Sequence, residues 1–261
     1  DLVVIGLYVE NIRRVNSRFI KTRDASGAEF ILPKPYYQIE NHELVLHHVP
    51  VPKKPWTEQT LPAELRQHVY TFHDTDFLNR VATMGSDTSV KLAPLHKTIK
   101  NLTTRLFGFR PAMLAPLRSS VKKMAMRMTG FTPVPDYNSP DNPGWLLLRK
   151  ILQTWSAASR APILLVTIPD ETFRNGLSDP RAYQARFREL TAQIGCHLYD
   201  PLPEILKLPA EQRRAMSDST GHLSACGHET LAQLLTPVIE RLSRASQHQK
   251  NLFPSHRINA Q

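Results

Sequence analysis

Two histidines six positions apart, His222 and His228, stand among small residues and glycines in the stretch DSTGHLSACGHETLA, residues 218–232. Histidines in such a setting serve metal ligation, helix capping or proton transfer. Zinc-type helical pairs place imidazoles four positions apart so that both leave one face. Here the spacing is six, and a helix start at Ser224 falls between the two. His228 lies in the first turns of that helix, three residues before Leu231, and is expected to pack along its apolar stripe. His222 lies in the loop before it, with Asp218 four residues upstream. A carboxylate beside a histidine can accept the Nδ1 proton and leave Nε2 to take one from a nucleophile. The same local sequence also fits a histidine bonded to backbone near a helix start, with Asp218 in a solvated turn. The elements around the loop must decide between them.

Those elements alternate. Residues 2–7 form a continuous apolar run that reads as a strand buried on both faces of a parallel sheet. Asn142 caps a helix with Pro143 in its first turn, and Trp145, Leu148, Leu152 and Trp155 recur at helical spacing. PILLVTI, residues 162–168, is a second buried strand. Ser178 or Asp179 caps a helix beginning at Pro180 and closed by Gly195, and CHLYD, residues 196–200, is a third, shorter strand. The last helix follows Ser224 with Leu231, Leu234, Leu235, Val238 and Leu242 on one stripe and a kink at Pro237. This order predicts an α/β fold around a parallel sheet. Ligands in such sheets bind at the carboxyl ends of the strands. Tyr8 to Arg13, Pro169-Asp170 and the loop before the last helix should therefore converge. YYQIENHELVLHHVPVP, residues 36–52, reads as a β-hairpin turning at Asn41-His42. It belongs to an expected insertion, about 25–140, in one domain spanning 1–245, with a loose tail at 246–261.

Three stretches carry a family resemblance. GHLSACGHETLA resembles the closing block of the SGNH (GDSL-type) hydrolases, and DLVVIGLYVENI resembles the strand leading to their oxyanion-hole Asn. PKPYYQIENHELVLHHVPVP is similar to a hairpin insertion in SGNH-like proteins linked to bacterial surface-polysaccharide assembly. The resemblance implies a three-layer, flavodoxin-like sheet and a serine ester hydrolase or O-acyltransferase acting on a carbohydrate-linked acyl ester, without a cofactor. In it His222 is the base, Asp218 its orienting acid and Asn11 an oxyanion donor. The family's acid position falls on Ser219, so either the loop bulges to bring Asp218 within reach or a Ser-His dyad operates. In strict register Glu10, not Asn11, would take the oxyanion position. The Gly-Asp-Ser block is expected upstream of residue 1, in a missing N-terminal part. Ser86 in MGSDTS has the wrong order to replace it. A non-catalytic module of the same fold in glycan assembly is the alternative.

Charge adds a further expectation. The net charge is +10, and between Thr88 and Pro135 there are nine basic residues and no acid. A helix over 112–129 would carry Arg118, Lys122, Lys123 and Arg127 mainly off its apolar face, suited to an anionic lipid or polymer surface. The aromatics there are only Phe107, Phe109 and Phe131, which disfavours a nucleic-acid partner. Two cysteines, Cys196 and Cys226, lack the spacing of a disulfide framework or a metal site. Any leader is expected in the missing N-terminal part, so the compartment is not read from these residues; cytoplasmic residence is slightly favoured over export.

Overall fold

The computed structural model describes residues 1–53, 55–70, 132–218 and 221–252. Residues 1–71 and 131–261 belong to one compact unit, which contains every described residue. Its centre is a three-stranded parallel sheet in the order β1-β7-β8. The strands are β1 (Val3–Tyr8), β7 (Ile163–Ile168) and β8 (His197–Tyr199). β7 reads ILLVTI, and its aliphatic and β-branched side chains suit a strand covered on both faces; Ile163 to Thr167 are buried. The parallel register sets Tyr8 level with Ile168 and Tyr199 level with Val166, so all three strands end at one edge.

Two helices supply much of the main core. Asn142 accepts from the backbone N–H groups of Gly144 and Trp145 and so starts α2 (Pro143–Ala158), as its residue type predicts. α4 (Arg181–Ile194) ends at Gly195, whose φ of 66° is the left-handed conformation that a glycine adopts without a Cβ penalty. Trp145, Leu148 and Leu152 of α2 meet Tyr183, Phe187 and Leu190 of α4 in one apolar cluster with Val9, Ile12 and Tyr137. Ring contacts lock it: Trp145 lies 5.5 Å from Phe187 and Tyr137 5.6 Å from Phe187, centroid to centroid. The α2 stripe stops short of its sequence expectation. Trp155 is 47% exposed because nothing in the described fold reaches the last turn's outer face.

Three further expectations change. Among the described strands β1 lies at the edge of its sheet, and it is not fully covered: Val3 and Val4 are exposed. The stretch before the hairpin, to which the sequence pattern assigned no element, is an antiparallel pair of β2 (Phe19–Arg23) and β3 (Glu29–Pro33), extended in parallel by β6 (Val69–Tyr70). Its charges had masked the strands: Phe19 and Ile31 pack in a small core with Leu61, and farther along the same face Lys21 and Arg23 pair with Glu29. The last helix, α7 (Ala225–Leu252), continues past Ala245, where the loose tail was expected to begin.

The predicted hairpin is present. β4 (Tyr36–Glu40) pairs with β5 (Glu43–His47), and Asn41 and His42 both take positive φ, 49° and 68°, as a two-residue hairpin turn requires. Hairpin and small sheet belong to the same compact unit as the parallel sheet. Among the described residues no helix is long and apolar enough to cross a membrane.

Candidate active site

Beyond Tyr8 the chain turns through a 3₁₀ segment, Val9–Asn11, into the short helix α1 (Ile12–Val15). Val9 and Ile12 are fully buried, and the Tyr137 hydroxyl donates to the Val9 carbonyl at 2.9 Å, so this turn is rigidly placed. The two candidates for the oxyanion position behave differently. Glu10 Oε1 receives Arg13 Nη1 at 2.9 Å, and Arg13 also donates to the Pro133 carbonyl and lies 3.9 Å from Asp136. Asn11 immediately precedes α1, yet its side chain makes no capping hydrogen bond. Glu10 is committed to an ion pair; the Asn11 carboxamide is not consumed by the helix it introduces.

At the end of β7, Asp170 starts α3 (Glu171–Arg174) by accepting from the N–H groups of Thr172 at 2.8 Å and Phe173 at 3.1 Å. Burial holds its carboxyl above the usual carboxylate range, against these hydrogen bonds, and the charge of Glu10 pushes the same way. Arg174, the last residue of α3, is fully buried. Its Nη1 donates to the Pro169 carbonyl at 2.6 Å. Its Nη2 donates to Ser217 Oγ at 2.7 Å and to the Gly221 carbonyl at 3.1 Å. One guanidinium thus fastens the end of the central strand to both arms of the loop that carries His222.

That loop is a closed turn. Ser217 and Leu223 form an antiparallel bridge. The Asp218 N–H donates to the His222 carbonyl at 3.0 Å, and Asp218 Oδ1 accepts the His222 backbone N–H at 3.1 Å. Gly221, with φ at +84°, occupies the left-handed region, where a side chain would be strained. Ser224 then caps α7 by accepting from the Gly227 N–H at 3.1 Å. The His222 ring is exposed and stacks on Tyr8, with centroids 6.2 Å apart and planes inclined by 30°. Burial, and next the charge of Asp170, pushes the Tyr8 hydroxyl well above its ordinary pKa, so the phenol stays protonated and neutral. The outcome is an accessible imidazole resting on the last side chain of β1.

The sequence-based candidates are therefore distributed as follows. His222 reaches the carboxyl edge of the sheet beside Tyr8. Asp218 shares its turn and bonds its main chain. Asn11 lies three residues beyond Tyr8, on the turn that Tyr137 pins. His228 does not pack along the apolar stripe: it is exposed, and the buried positions of that turn are Gly227 and Thr230. A Cβ on Gly227 would run into the Met216 carbonyl, so backbone approach takes the place expected for the imidazole. Arg118, Lys122, Lys123, Arg127 and Ser86 lie outside the described residues. Tyr8 and Arg174 were not singled out by sequence reasoning. Tyr8 closes a strand that points at the site, a usable signal; Arg174 reads locally like any surface arginine.

No family model matches this chain, and no curated protein or solved structure matches it either.

Proposed function

We propose that this chain supplies the base and part of the oxyanion site of an SGNH-type serine ester hydrolase or O-acyltransferase, built on a three-layer flavodoxin-like sheet and acting on an acyl ester carried by a carbohydrate. The observation that carries the reading is the exposed His222 ring resting on Tyr8, at the edge where parallel α/β sheets bind their ligands. In this reading His222 Nε2 takes the proton of a serine hydroxyl as that oxygen attacks the acyl carbonyl, and returns it to the departing sugar hydroxyl. Water or a second hydroxyl then attacks the acyl-enzyme by the same proton route, which separates hydrolase from transferase. Asn11 donates its carboxamide N–H to the oxyanion. Asp218 stabilises the imidazolium through the turn they share.

The test uses the natural polypeptide that carries this sequence, with a small aryl acetate as substrate. Replacing His222 by alanine is expected to lower kcat/KM by about 10³-fold or more. Asn11→Ala should lower kcat by about 10²–10³-fold. Turnover unchanged in the His222 variant refutes the reading.

A second reading, a non-catalytic module of the same architecture that binds glycan, is favoured by one contact. Asp218 Oδ1 accepts a main-chain N–H, which builds the turn. Under it the aryl ester is not turned over by the unaltered protein, and an acetylated oligosaccharide binds equally well to the parent and to His222→Ala.

A further inference from the structure

The segment from Arg13 to His68 is rich in basic residues. Four of them face a carboxylate: Arg13 meets Glu10, Lys21 meets Glu29 and Glu58, Arg23 meets Glu29, and His47 meets Glu40. Arg18, Lys34, His48 and His68 have no carboxylate partner among the described residues. Their backbones are stitched together: the Arg18 N–H donates to the His68 carbonyl at 2.9 Å, and the Lys34 N–H to the Arg18 carbonyl at 3.0 Å. His48 Nδ1 donates to the Lys34 carbonyl at 3.1 Å, which makes Nδ1 the protonated nitrogen. The Lys34 ammonium spends one hydrogen bond on the Arg14 carbonyl, at 2.8 Å. The Arg18 guanidinium lies 5.0 Å over the Tyr36 ring, and that ring meets His48 edge-on at 5.0 Å. All four basic residues are half-buried.

We infer that Arg18, Lys34, His48 and His68 form a binding site for an oxyanion, a carboxylate or phosphate group carried by a sugar or free in solution. Half-buried basic side chains set side by side without a carboxylate disfavour one another's charge, and a bound oxyanion would offset that cost. The strain is visible in the two groups most able to yield a proton. Burial and then the charge of Arg14 hold the Lys34 ammonium below its ordinary pKa. Burial and then the charge of Arg18 hold His68 below the usual imidazole value, against a hydrogen bond to the Asn16 backbone. The donor set suits an oxyanion: a planar guanidinium steadied on an aromatic face, an ammonium with N–H groups to spare, and two imidazoles. The inference uses none of the residues of the acyl chemistry and its readout is binding, so either can fail alone.

The test follows the histidine ring resonances of the whole chain by NMR during titration with sodium phosphate, with galacturonate and with neutral galactose, at constant ionic strength. Saturation with phosphate or galacturonate is expected to raise the titration midpoint of His68, because the anion offsets the Arg18 charge; galactose should leave it in place. A response to phosphate alone identifies a phosphoryl group as the ligand, and a response to galacturonate identifies a sugar carboxylate. The double variant Arg18→Gln, Lys34→Gln should bind the responding anion about tenfold or more weakly. If circular dichroism shows that pair unfolded, Lys34→Gln alone serves, since its ammonium makes one hydrogen bond to the fold. A His68 midpoint unmoved by either anion, moved equally by galactose, or moved equally in a folded variant overturns the inference.

Discussion

Replacing Arg174 by alanine removes a guanidinium that is fully buried and shared among three acceptors: the Pro169 carbonyl at 2.6 Å, Ser217 Oγ at 2.7 Å and the Gly221 carbonyl at 3.1 Å. A hydrogen bond from a charged donor contributes about 1.5–3 kcal/mol, and of the acceptors left behind the Pro169 carbonyl is buried and the other two are partly so. Such contributions do not add in full, and removing a buried charge recovers part of its desolvation cost. The net loss expected is about 3–5 kcal/mol, at the upper end for a single substitution. Lysine cannot restore it, because one ammonium does not span three acceptors arranged for a planar fork. Urea unfolding of parent, Arg174→Ala and Arg174→Lys measures the loss. A nuclear Overhauser contact between the rings of Tyr8 and His222 reports whether the loop has left the strand. Both variants should weaken that contact, since Arg174 is what ties Ser217 and Gly221 to the end of β7. A loss below about 1 kcal/mol with the ring contact intact refutes the claim that Arg174 positions His222.

Other substitutions and conditions probe the same framework. Gly227→Ala sets a Cβ against the Met216 carbonyl and 2.9 Å from Leu223 Cδ2; a destabilisation of about 2–3 kcal/mol in urea is expected, and neutrality would mean that α7 does not lie that close to the turn. Asp170→Asn keeps an oxygen to cap α3 and removes a carboxyl whose pKa burial raises. Such a group destabilises the fold as pH rises from its unfolded value through its folded one, so the variant should match or exceed the parent's stability at pH 7 and lose that advantage toward pH 4. Glu29 carries the opposite sign: hydrogen bonds from Lys21 and then Arg23 bring its carboxyl down to about 2. Its contribution is complete above the ordinary glutamate range and is lost as pH falls through about 2, which carboxyl carbon NMR should detect and added salt should diminish.

Local patterns in this chain determine local structure well. Asn142 ahead of Pro143, the apolar run ILLVTI, Asn41-His42 between alternating strands and Gly195 after α4 each act over a few residues, through capping, burial or positive φ. They sufficed for the three parallel strands with the long helices that follow them, and for the edge at which His222 would emerge. Signals failed where the partner is distant in the chain. Phe19 and Ile31 face a core completed by Leu61, which the surrounding lysines and arginines conceal in a linear reading. Whether β1 is central or at an edge depends on which strands pair with it, and Trp155 is exposed because none of the described elements covers it. At the site, residue type and position raised His222 and Asp218 as one of two local readings, and Asn11 entered through the family resemblance alone. Only the tertiary structure brought Tyr8 beneath the imidazole and sank Arg174 between the strand and the loop. Contacts spanning forty or more residues are decided by packing and by the need to satisfy buried polar groups, and no short window of sequence carries that information.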